Sequence, residues 1–146
     1  MTKGDPAPWP KSGSSDTAVG RTGKKRFVAA VEPWHGNQVV VYRKAGAIWK
    51  REVIDDELVD GHTIATADLD GDGNDEIIAG FRGMPHRVYI YRLDGKKWLR
   101  QTLDDGGMAA AACAVADLNG DGKPDLACIG SATQNLKWYE NVSRAP

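Results

Sequence analysis

The sequence lacks the features that define several common classes of protein. No run approaches the roughly 18 apolar residues that cross a bilayer, and no apolar segment after Met1 predicts a signal peptide. The formal net charge is only −1, which argues against binding nucleic acid through excess positive charge. No extended helical periodicity is present either. These absences argue against a membrane-spanning helix, a helical bundle and a nucleic-acid partner.

Cysteine is also scarce, with Cys113 and Cys128 the two examples in the sequence. Both lie in apolar runs, AAACAVA and DLACIG. Free cysteine is among the residue types most often buried, so we expect two buried thiols. A disulfide between them stays open as an alternative, and the pair therefore does not predict a redox compartment.

Glycine and short β-prone runs are what the chain has instead. It contains 17 glycines and 5 tryptophans, and short runs of Val, Ile, Tyr and Trp alternate with glycine-containing breaks. This pattern is typical of an all-β chain. The apolar fraction of 41% is ordinary for a globular protein, so the chain is expected to form one domain or part of one.

An internal repeat predicts the architecture. TIATADLDGDGNDEIIAGF begins at Thr63 and ACAVADLNGDGKPDLACIG at Ala112, and the first loop aspartates, Asp68 and Asp117, are 49 residues apart. A weaker copy, 25–43, aligns with 75–92 if Phe27 is matched to Ile77. Its loop would be AVGRTGKKR, residues 18–26, in which the acidic positions are lost.

Each unit is predicted to contain four short antiparallel strands, which is the size of a β-propeller blade. We predict an all-β fold of about three four-stranded blades, at about 17–55, 60–105 and 108–146, after a flexible tail, 1–16, rich in Pro, Gly and Ser. Closed rings usually contain four to eight blades. The chain is therefore expected to be part of a larger propeller, an assembly completed by other copies, or an open stack.

The two aspartate-rich loops, 68–76 and 117–125, are predicted Ca²⁺ sites. Ca²⁺ takes six to eight oxygen ligands, which the loops offer at alternate positions, with Gly73 and Gly122 where the chain bends tightly. We expect the first loop, with four carboxylates, to bind more tightly than the second, with three. The predicted ligands are Asp68, Asp70, Asp72, the Asn74 carbonyl and Glu76 in the first loop, and Asp117, Asn119, Asp121, the Lys123 carbonyl and Asp125 in the second.

Two alternatives compete with these β-type calcium loops. An EF-hand needs Glu at position twelve and flanking helices, but that position holds Ala79 or Cys128 and the flanks are β-like. A solvated acidic turn without metal explains one such loop better than two at a fixed period. Neither loop contains His or Cys, which argues against zinc and copper.

Strand order predicts that metal and ligand chemistry lie at opposite ends of the blades. In a four-stranded meander the first turn, which carries the calcium, shares one end with the third. Connections at the other end are predicted to carry the candidate catalytic residues, His35, His62 and His86, and the candidate ligand contacts, Trp34, Arg82 and Arg87. Glu32 or Arg82 could orient a histidine or stabilise an oxyanion there. Inert, exposed histidines are the competing interpretation.

The motifs DLDGDGNDEII and DLNGDGKPDL, with the trailing GSATQNLKWYEN, resemble the FG-GAP and VCBS repeats of integrin-α-type β-propellers. The resemblance covers about residues 17–141. It implies a bladed propeller, often seven-bladed, in a secreted, periplasmic or cell-surface protein. A protein or a carbohydrate is the class of ligand that we consider for it. The resemblance does not determine the function, because such propellers are both binding scaffolds and parts of enzymes.

A narrower resemblance concerns the histidine-bearing segments EPWHG and DGHTIATADLDGDG. They are similar to segments in the propeller of aldos-2-ulose dehydratase-like proteins, which implies sugar dehydration. The sequence therefore leaves two functions open. The first is a calcium-stabilised binding module without activity of its own, and the second is part of a carbohydrate lyase.

Overall fold

The computed structural model describes residues 7–143, and this part of the chain contains eleven β-strands. Their bounds are β1 (Asp16–Thr22), β2 (Lys25–Glu32), β3 (Gln38–Ala45), β4 (Ile48–Asp55), β5 (Gly61–Ala67), β6 (Glu76–Phe81), β7 (Arg87–Asp94), β8 (Lys97–Asp105), β9 (Ala110–Ala116), β10 (Asp125–Gly130) and β11 (Asn135–Tyr139).

The strands form three antiparallel meanders, which we call blades one, two and three. Blade one has the order β1-β2-β3-β4, blade two β5-β6-β7-β8, and blade three β9-β10-β11. The first strands of successive blades, β1, β5 and β9, lie side by side. The backbone N–H of Ile64 donates to Asp16 Oδ2 at 2.9 Å, and that of Cys113 donates to Thr63 Oγ1 at 3.0 Å. These sheets are blades of a partial β-propeller, which confirms the predicted fold class.

Strand register shows which face of each blade meets the next. Ala29 pairs with Val41 in blade one, Ile78 with Ile90 in blade two, and Ala127 with Trp138 in blade three. We call the faces that carry these pairs the leading faces. In blade one the apolar side chains of the leading face are buried against blade two, and in blade two most of them pack against blade three.

The same register corrects the alignment made from sequence. Matching Phe27 to Ile77 is wrong by one residue, because Ala29 occupies the position that Ile78 takes in blade two, a shift of 49 residues. Residues 18–26 are not a degenerate loop either. They belong mostly to β1 and β2, which stay paired as far as Thr22 and Lys25, leaving a two-residue turn with Gly23 at φ 56°.

Aspartates at the ends of outer strands bridge successive blades. Asp55 accepts hydrogen bonds from Tyr91 and Arg100 of blade two, both at 2.8 Å. At the equivalent place Asp104 accepts from Lys137 at 2.7 Å and Tyr139 at 2.8 Å in blade three. Each of the two interfaces between blades therefore contains an aspartate that accepts hydrogen bonds from a tyrosine and a cationic side chain. The cation is an arginine between blades one and two and a lysine between blades two and three.

The expectation of two free thiols is wrong. Cys113 and Cys128 form a disulfide between directly opposed residues of β9 and β10. Among the strand aromatics, Trp138 is 49% exposed on the leading face of blade three. Tyr89 and Tyr91 do lie in the core between blades one and two.

The predicted flexible tail, residues 1–16, begins outside the described residues. Within the described part, the Trp34 N–H donates to the Ser12 carbonyl, Ser14 Oγ donates to the Val31 carbonyl, and Asp16 already belongs to β1. Within residues 7–143, no helix has the length and hydrophobicity to span a membrane.

Candidate functional sites at the two ends of the blades

The loop between β5 and β6 brings three acidic side chains together. Asp68, Asp70 and Glu76 each offer a carboxylate oxygen, and these oxygens lie within 4.8 Å of one another. Gly73 has φ 86°, a conformation that glycine adopts without strain. Its N–H donates to Asp68 Oδ2 at 3.0 Å, so the bend of the loop and the direction of the carboxylate are fixed together.

One buried carboxylate oxygen of this cluster accepts no hydrogen bond and is available to bind a cation. Asp68 Oδ1 is buried and has no hydrogen-bond partner, a condition that costs free energy unless a ligand satisfies the oxygen. Glu76 is 3% exposed. Burial raises its pKa to about 7, and the nearby charges of the loop aspartates add to this rise, against the Leu69 N–H that lowers it. These oxygens fit a hard divalent cation.

Neighbouring strands hold the first loop in place. Arg21 of blade one lies 3.5 Å from Asp68, and Arg92 of β7 lies 3.3 Å from Asp70. The Gly23 N–H donates to Asn74 Oδ1 at 2.9 Å. The short hairpin of blade one, where the sequence alignment predicts a lost calcium loop, thus braces the loop of blade two.

The loop between β9 and β10 has similar backbone turns, but more of its side-chain oxygens accept hydrogen bonds from within the loop. Gly122 has φ 84°, and its N–H donates to Asp117 Oδ2 at 2.9 Å. Asp125, 1% exposed, accepts from the Leu118 N–H at 3.0 Å, as Glu76 does from Leu69 at 2.8 Å. Asn119 donates to Glu140. The loops therefore share a framework, and the first shows the tighter convergence of acidic oxygens.

At the other end of the blades, the connections between strands are linked by backbone hydrogen bonds. The N–H of Gly61 donates to the Gly36 carbonyl at 2.8 Å, and that of Arg82 to the Asp60 carbonyl at 3.1 Å. The connection β2–β3 of blade one, the link β4–β5 and the connection β6–β7 of blade two therefore meet. Four predicted residues come together here: Trp34, His35, His62 and Arg82.

His35 lies between an acid and a guanidinium. Its Nδ1 is 2.9 Å from Asp60 Oδ1 and 2.8 Å from an Arg82 nitrogen, while Arg82 Nε also donates to Asp60 Oδ2 at 3.2 Å. Nδ1 either donates to Asp60 or accepts from Arg82, so one proton decides which bond forms. In the second case the neutral ring carries its proton on Nε2.

His62 has a defined tautomer when neutral. Its Nδ1 is 2.8 Å from the Ala111 carbonyl oxygen, which can only accept, so Nδ1 carries the proton and Nε2 offers a lone pair. The two imidazole rings are 5.1 Å apart between centroids. Trp34, 40% exposed, stacks on His35 at 4.4 Å. An open aromatic surface thus adjoins two histidines.

The remaining predicted residues lie elsewhere or are already engaged. Arg87 pairs with Asp105 at 2.6 Å, and His86 Nδ1 is buried without a partner. Glu32 does not orient a histidine, since it accepts bonds from Tyr42 and Arg51 of its own blade. Sequence reasoning missed Asp60, which reaches the cluster from a residue with φ 58°. Its position just before Gly61 and His62 was the available signal.

Comparison with known proteins supports the repeat assignment. Residues 68–128 match the FG-GAP-like repeat family. This confirms the resemblance inferred from the loop motifs, for a stretch that includes both loops and the strands between them.

The chain is also similar to aldos-2-ulose dehydratase of Phanerodontia chrysosporium. The two are 38% identical over 98 residues, which cover 56% of this chain and 10% of that protein. The chain thus corresponds to about a tenth of the length of this relative. The similarity supports a propeller-like module shared with part of a larger protein.

Proposed function

We propose that this chain is a calcium-stabilised β-propeller module that binds a ligand or a protein, with Ca²⁺ in a structural role. One observation carries the calcium assignment: Asp68, Asp70 and Glu76 converge around the buried, unpartnered oxygen Asp68 Oδ1. Asp72 and the Asn74 carbonyl complete the proposed ligand set. Without a cation, carboxylates so close together repel one another, so binding is coupled to the order of the loop.

A second Ca²⁺ is proposed in the loop between β9 and β10. The shared framework supports it, as does the similar spacing of oxygen-bearing residues. Because this loop has fewer carboxylates, its affinity is expected to be lower. The proposed ligands are Asp117, Asn119, Asp121, the Lys123 carbonyl and Asp125.

Calorimetric titration of Ca²⁺ into the chain, after a chelator has removed any bound metal, tests both sites. We expect two binding events for Ca²⁺, and an increase in unfolding free energy of about 2.7 kcal/mol at one hundred times the dissociation constant. Asp68→Asn should weaken the tighter event at least about tenfold. The weaker event should remain.

Asp94→Asn is the matched control, because Asp94 is the exposed last residue of β7 in the same blade. It should leave both binding events unchanged. If removing Ca²⁺ does not alter the thermal midpoint of the chain, the structural role is wrong.

The ligand-binding role and the location of the protein are proposed on the same basis. Loops at the end of a rigid scaffold commonly carry function, and the site formed by Trp34, His35, His62 and Arg82 lies opposite the calcium loops. A protein or a carbohydrate is the proposed ligand. A secreted, periplasmic or cell-surface location is supported by the disulfide, since such bonds persist in oxidising compartments.

A second function, carbohydrate dehydration, is favoured by the complementary roles open to the two histidines. Neutral His62, whose Nδ1 donates to the Ala111 carbonyl, has a free lone pair on Nε2. His35, when its ring is protonated and Nδ1 donates to Asp60, carries a proton on Nε2 that it can give up to become a neutral imidazole. Elimination of water next to a carbonyl needs such a pair. The base takes the proton of a C–H bond, a C=C bond forms, and the C–O bond breaks as the acid protonates the leaving hydroxyl.

The name of the relative suggests a keto-sugar as the substrate class, and Trp34 offers a stacking surface for a sugar ring. His86 and Arg87 stay secondary candidates, because the described contacts do not join them to the two-histidine site.

Turnover of a keto-sugar, followed by ultraviolet absorbance of the conjugated product, tests this function. His35→Ala and His62→Ala should each lower the rate about 10²-fold or more. His86→Ala is the comparison, with a much smaller loss expected. Undiminished turnover in the first two variants would refute the assignment, and it would leave the calcium proposal untouched.

A further inference from the structure

The segment that follows β11 contacts both proposed calcium loops. The backbone N–H of Asn141 donates to Asp125 Oδ1 at 2.8 Å. Its side-chain Nδ2 donates to the Leu69 carbonyl at 2.8 Å and to the Pro124 carbonyl at 3.1 Å. Leu69 belongs to the first loop, whereas Pro124 and Asp125 belong to the second. One asparagine therefore bridges the two loops.

Each end of this bridge reaches a proposed calcium ligand. In the first loop, the Leu69 N–H donates to Glu76 Oε2 at 2.8 Å, so the residue whose carbonyl holds Asn141 also holds a ligand. In the second loop, Asp125 is itself a ligand, and its two oxygens accept from the N–H groups of Leu118 and Asn141. A continuous set of hydrogen bonds thus runs from one ligand set to the other.

A second residue of the same segment fixes the orientation of the bridge. The Ser143 N–H donates to Asn141 Oδ1 at 3.0 Å, and Ser143 Oγ donates to the Leu69 carbonyl at 3.0 Å. Both Nδ2 hydrogens of Asn141 and its Oδ1 therefore have partners. The amide is held in one orientation, with its donors directed at the two loops.

We propose that Asn141 couples the two loops, so that Ca²⁺ in one loop strengthens the binding of Ca²⁺ in the other. The inference rests on the calcium-binding function proposed above. A cation in the first loop orders Glu76 and Leu69, and with them the carbonyl that holds Asn141. Asp125 is then already oriented, so binding of the second cation loses less conformational entropy. Coupling of this kind is reciprocal between the two sites.

A double-mutant cycle on the whole chain measures the coupling. Asp68→Asn combined with Asp70→Asn disables the first loop, and Asn141→Leu removes the side-chain bonds of the bridge but keeps its backbone N–H. Calorimetric titration with Ca²⁺ gives the dissociation constant of the second loop in the wild type, in each variant and in their combination. Asp121→Asn should weaken only the weaker event of the wild type and thereby assign it to the second loop.

Disabling the first loop should weaken Ca²⁺ binding at the second at least about fivefold, the lower end of typical coupling between sites. In the Asn141→Leu background the same change should have an effect of less than about twofold. Any effect of the lost charges that does not pass through the bridge is the same in both backgrounds, so the cycle removes it.

Asn37→Leu is the matched control. The Asn37 Nδ2 also donates to a backbone carbonyl, that of Asp56 at 2.7 Å, but it does so at the other end of the blades. In this background, disabling the first loop should still weaken the second as it does in the wild type.

Equal weakening in the wild-type and Asn141→Leu backgrounds would overturn the coupling and leave the calcium proposal standing, because the second loop would still bind. Absence of any Ca²⁺ binding would overturn both. If Asn141→Leu fails to fold, Ser143→Ala takes its place, since it removes one of the two side-chain hydrogen bonds that the segment donates to the Leu69 carbonyl. It should reduce the effect of disabling the first loop, and an unchanged effect would overturn the coupling.

Discussion

Single residues at the blade interfaces have environments that sequence alone does not reveal. Asp104 is 8% exposed and holds both Lys137 and Tyr139 of the next blade. Burial acts to raise its pKa, but the hydrogen bonds from these partners outweigh burial, and the pKa is lowered overall. The ionised form of Asp104 therefore stabilises the folded chain.

Asp104→Asn should destabilise the chain at neutral pH by about 2 kcal/mol, because it removes the buried partner of an ion pair whose lysine is 37% exposed. A lowered folded pKa means that the stabilisation is present above the unfolded pKa of about 3.9 and is lost as pH falls through the folded value. The difference between wild type and variant should thus shrink below about pH 4. Urea unfolding at several pH values measures it.

Asp105→Asn is the matched control, since Asp105 is the next residue and its side chain is 66% exposed. Its exposed pair with Arg87 should contribute no more than about 1 kcal/mol. A pH-independent difference for Asp104→Asn would contradict the interpretation.

At this scale the convergence of the first loop's acids was predictable from sequence, and the histidine site was predictable in part. Alternating Asp residues with glycines at the bends form a local pattern, and their geometry follows from a few consecutive dihedral angles. Asp60 was missed because its contact with His35 joins residues from separate connections. Similarly, Glu32 was assigned to the wrong neighbours because side-chain direction at the end of a strand depends on its register.

Among the elements, the hairpin of β9 and β10 combines a disulfide with a proposed calcium loop. Cys113 and Cys128 are separated by 15 residues, and the loop lies between them. Cross-linking the two strands limits the conformations of the unfolded hairpin. The disulfide and the cation therefore restrain the same segment.

Replacing both cysteines by alanine should lower the unfolding free energy by about 3 kcal/mol, the value expected for a closed loop of about 15 residues. It should also weaken Ca²⁺ binding at the second loop, because more of the binding free energy then goes into ordering the hairpin. Binding at the first loop should be unaffected. Calorimetry of the double variant and of the reduced wild type measures both effects, and equal weakening at the two loops would contradict the argument.

Strand positions were predicted better than strand equivalence. Alternation and glycine turns located the strands, but the weak first repeat was aligned with a slip. A change of one residue moves every side chain to the other face of a sheet, so residues 18–26 were interpreted as a loop although most of them form β-structure. The two-residue turn at Gly23 and Lys24 leaves no room for a metal loop.

For the whole molecule, the leading face of blade three differs from those of blades one and two. Val31 and Val39 form a cross-strand pair that is fully buried, and Ile129 and Leu136 form the equivalent pair in blade three. Yet Ile129 is 49% exposed, Leu136 69% and Trp138 49%. An apolar surface of this kind commonly marks an interaction site.

We expect the chain to self-associate through this face, or to bind a further blade there, since each equivalent face within the chain is covered by the next blade. Leu136→Lys combined with Trp138→Glu should convert associated chains to monomers, because charge placed on an apolar interface costs several kcal/mol on burial. Sedimentation velocity at several concentrations measures the mass. Ile48→Lys is the control, as it alters an exposed apolar side chain on the outer strand of blade one. A wild-type chain that stays monomeric at all concentrations would contradict self-association, and would leave the added blade as the occupant of the face.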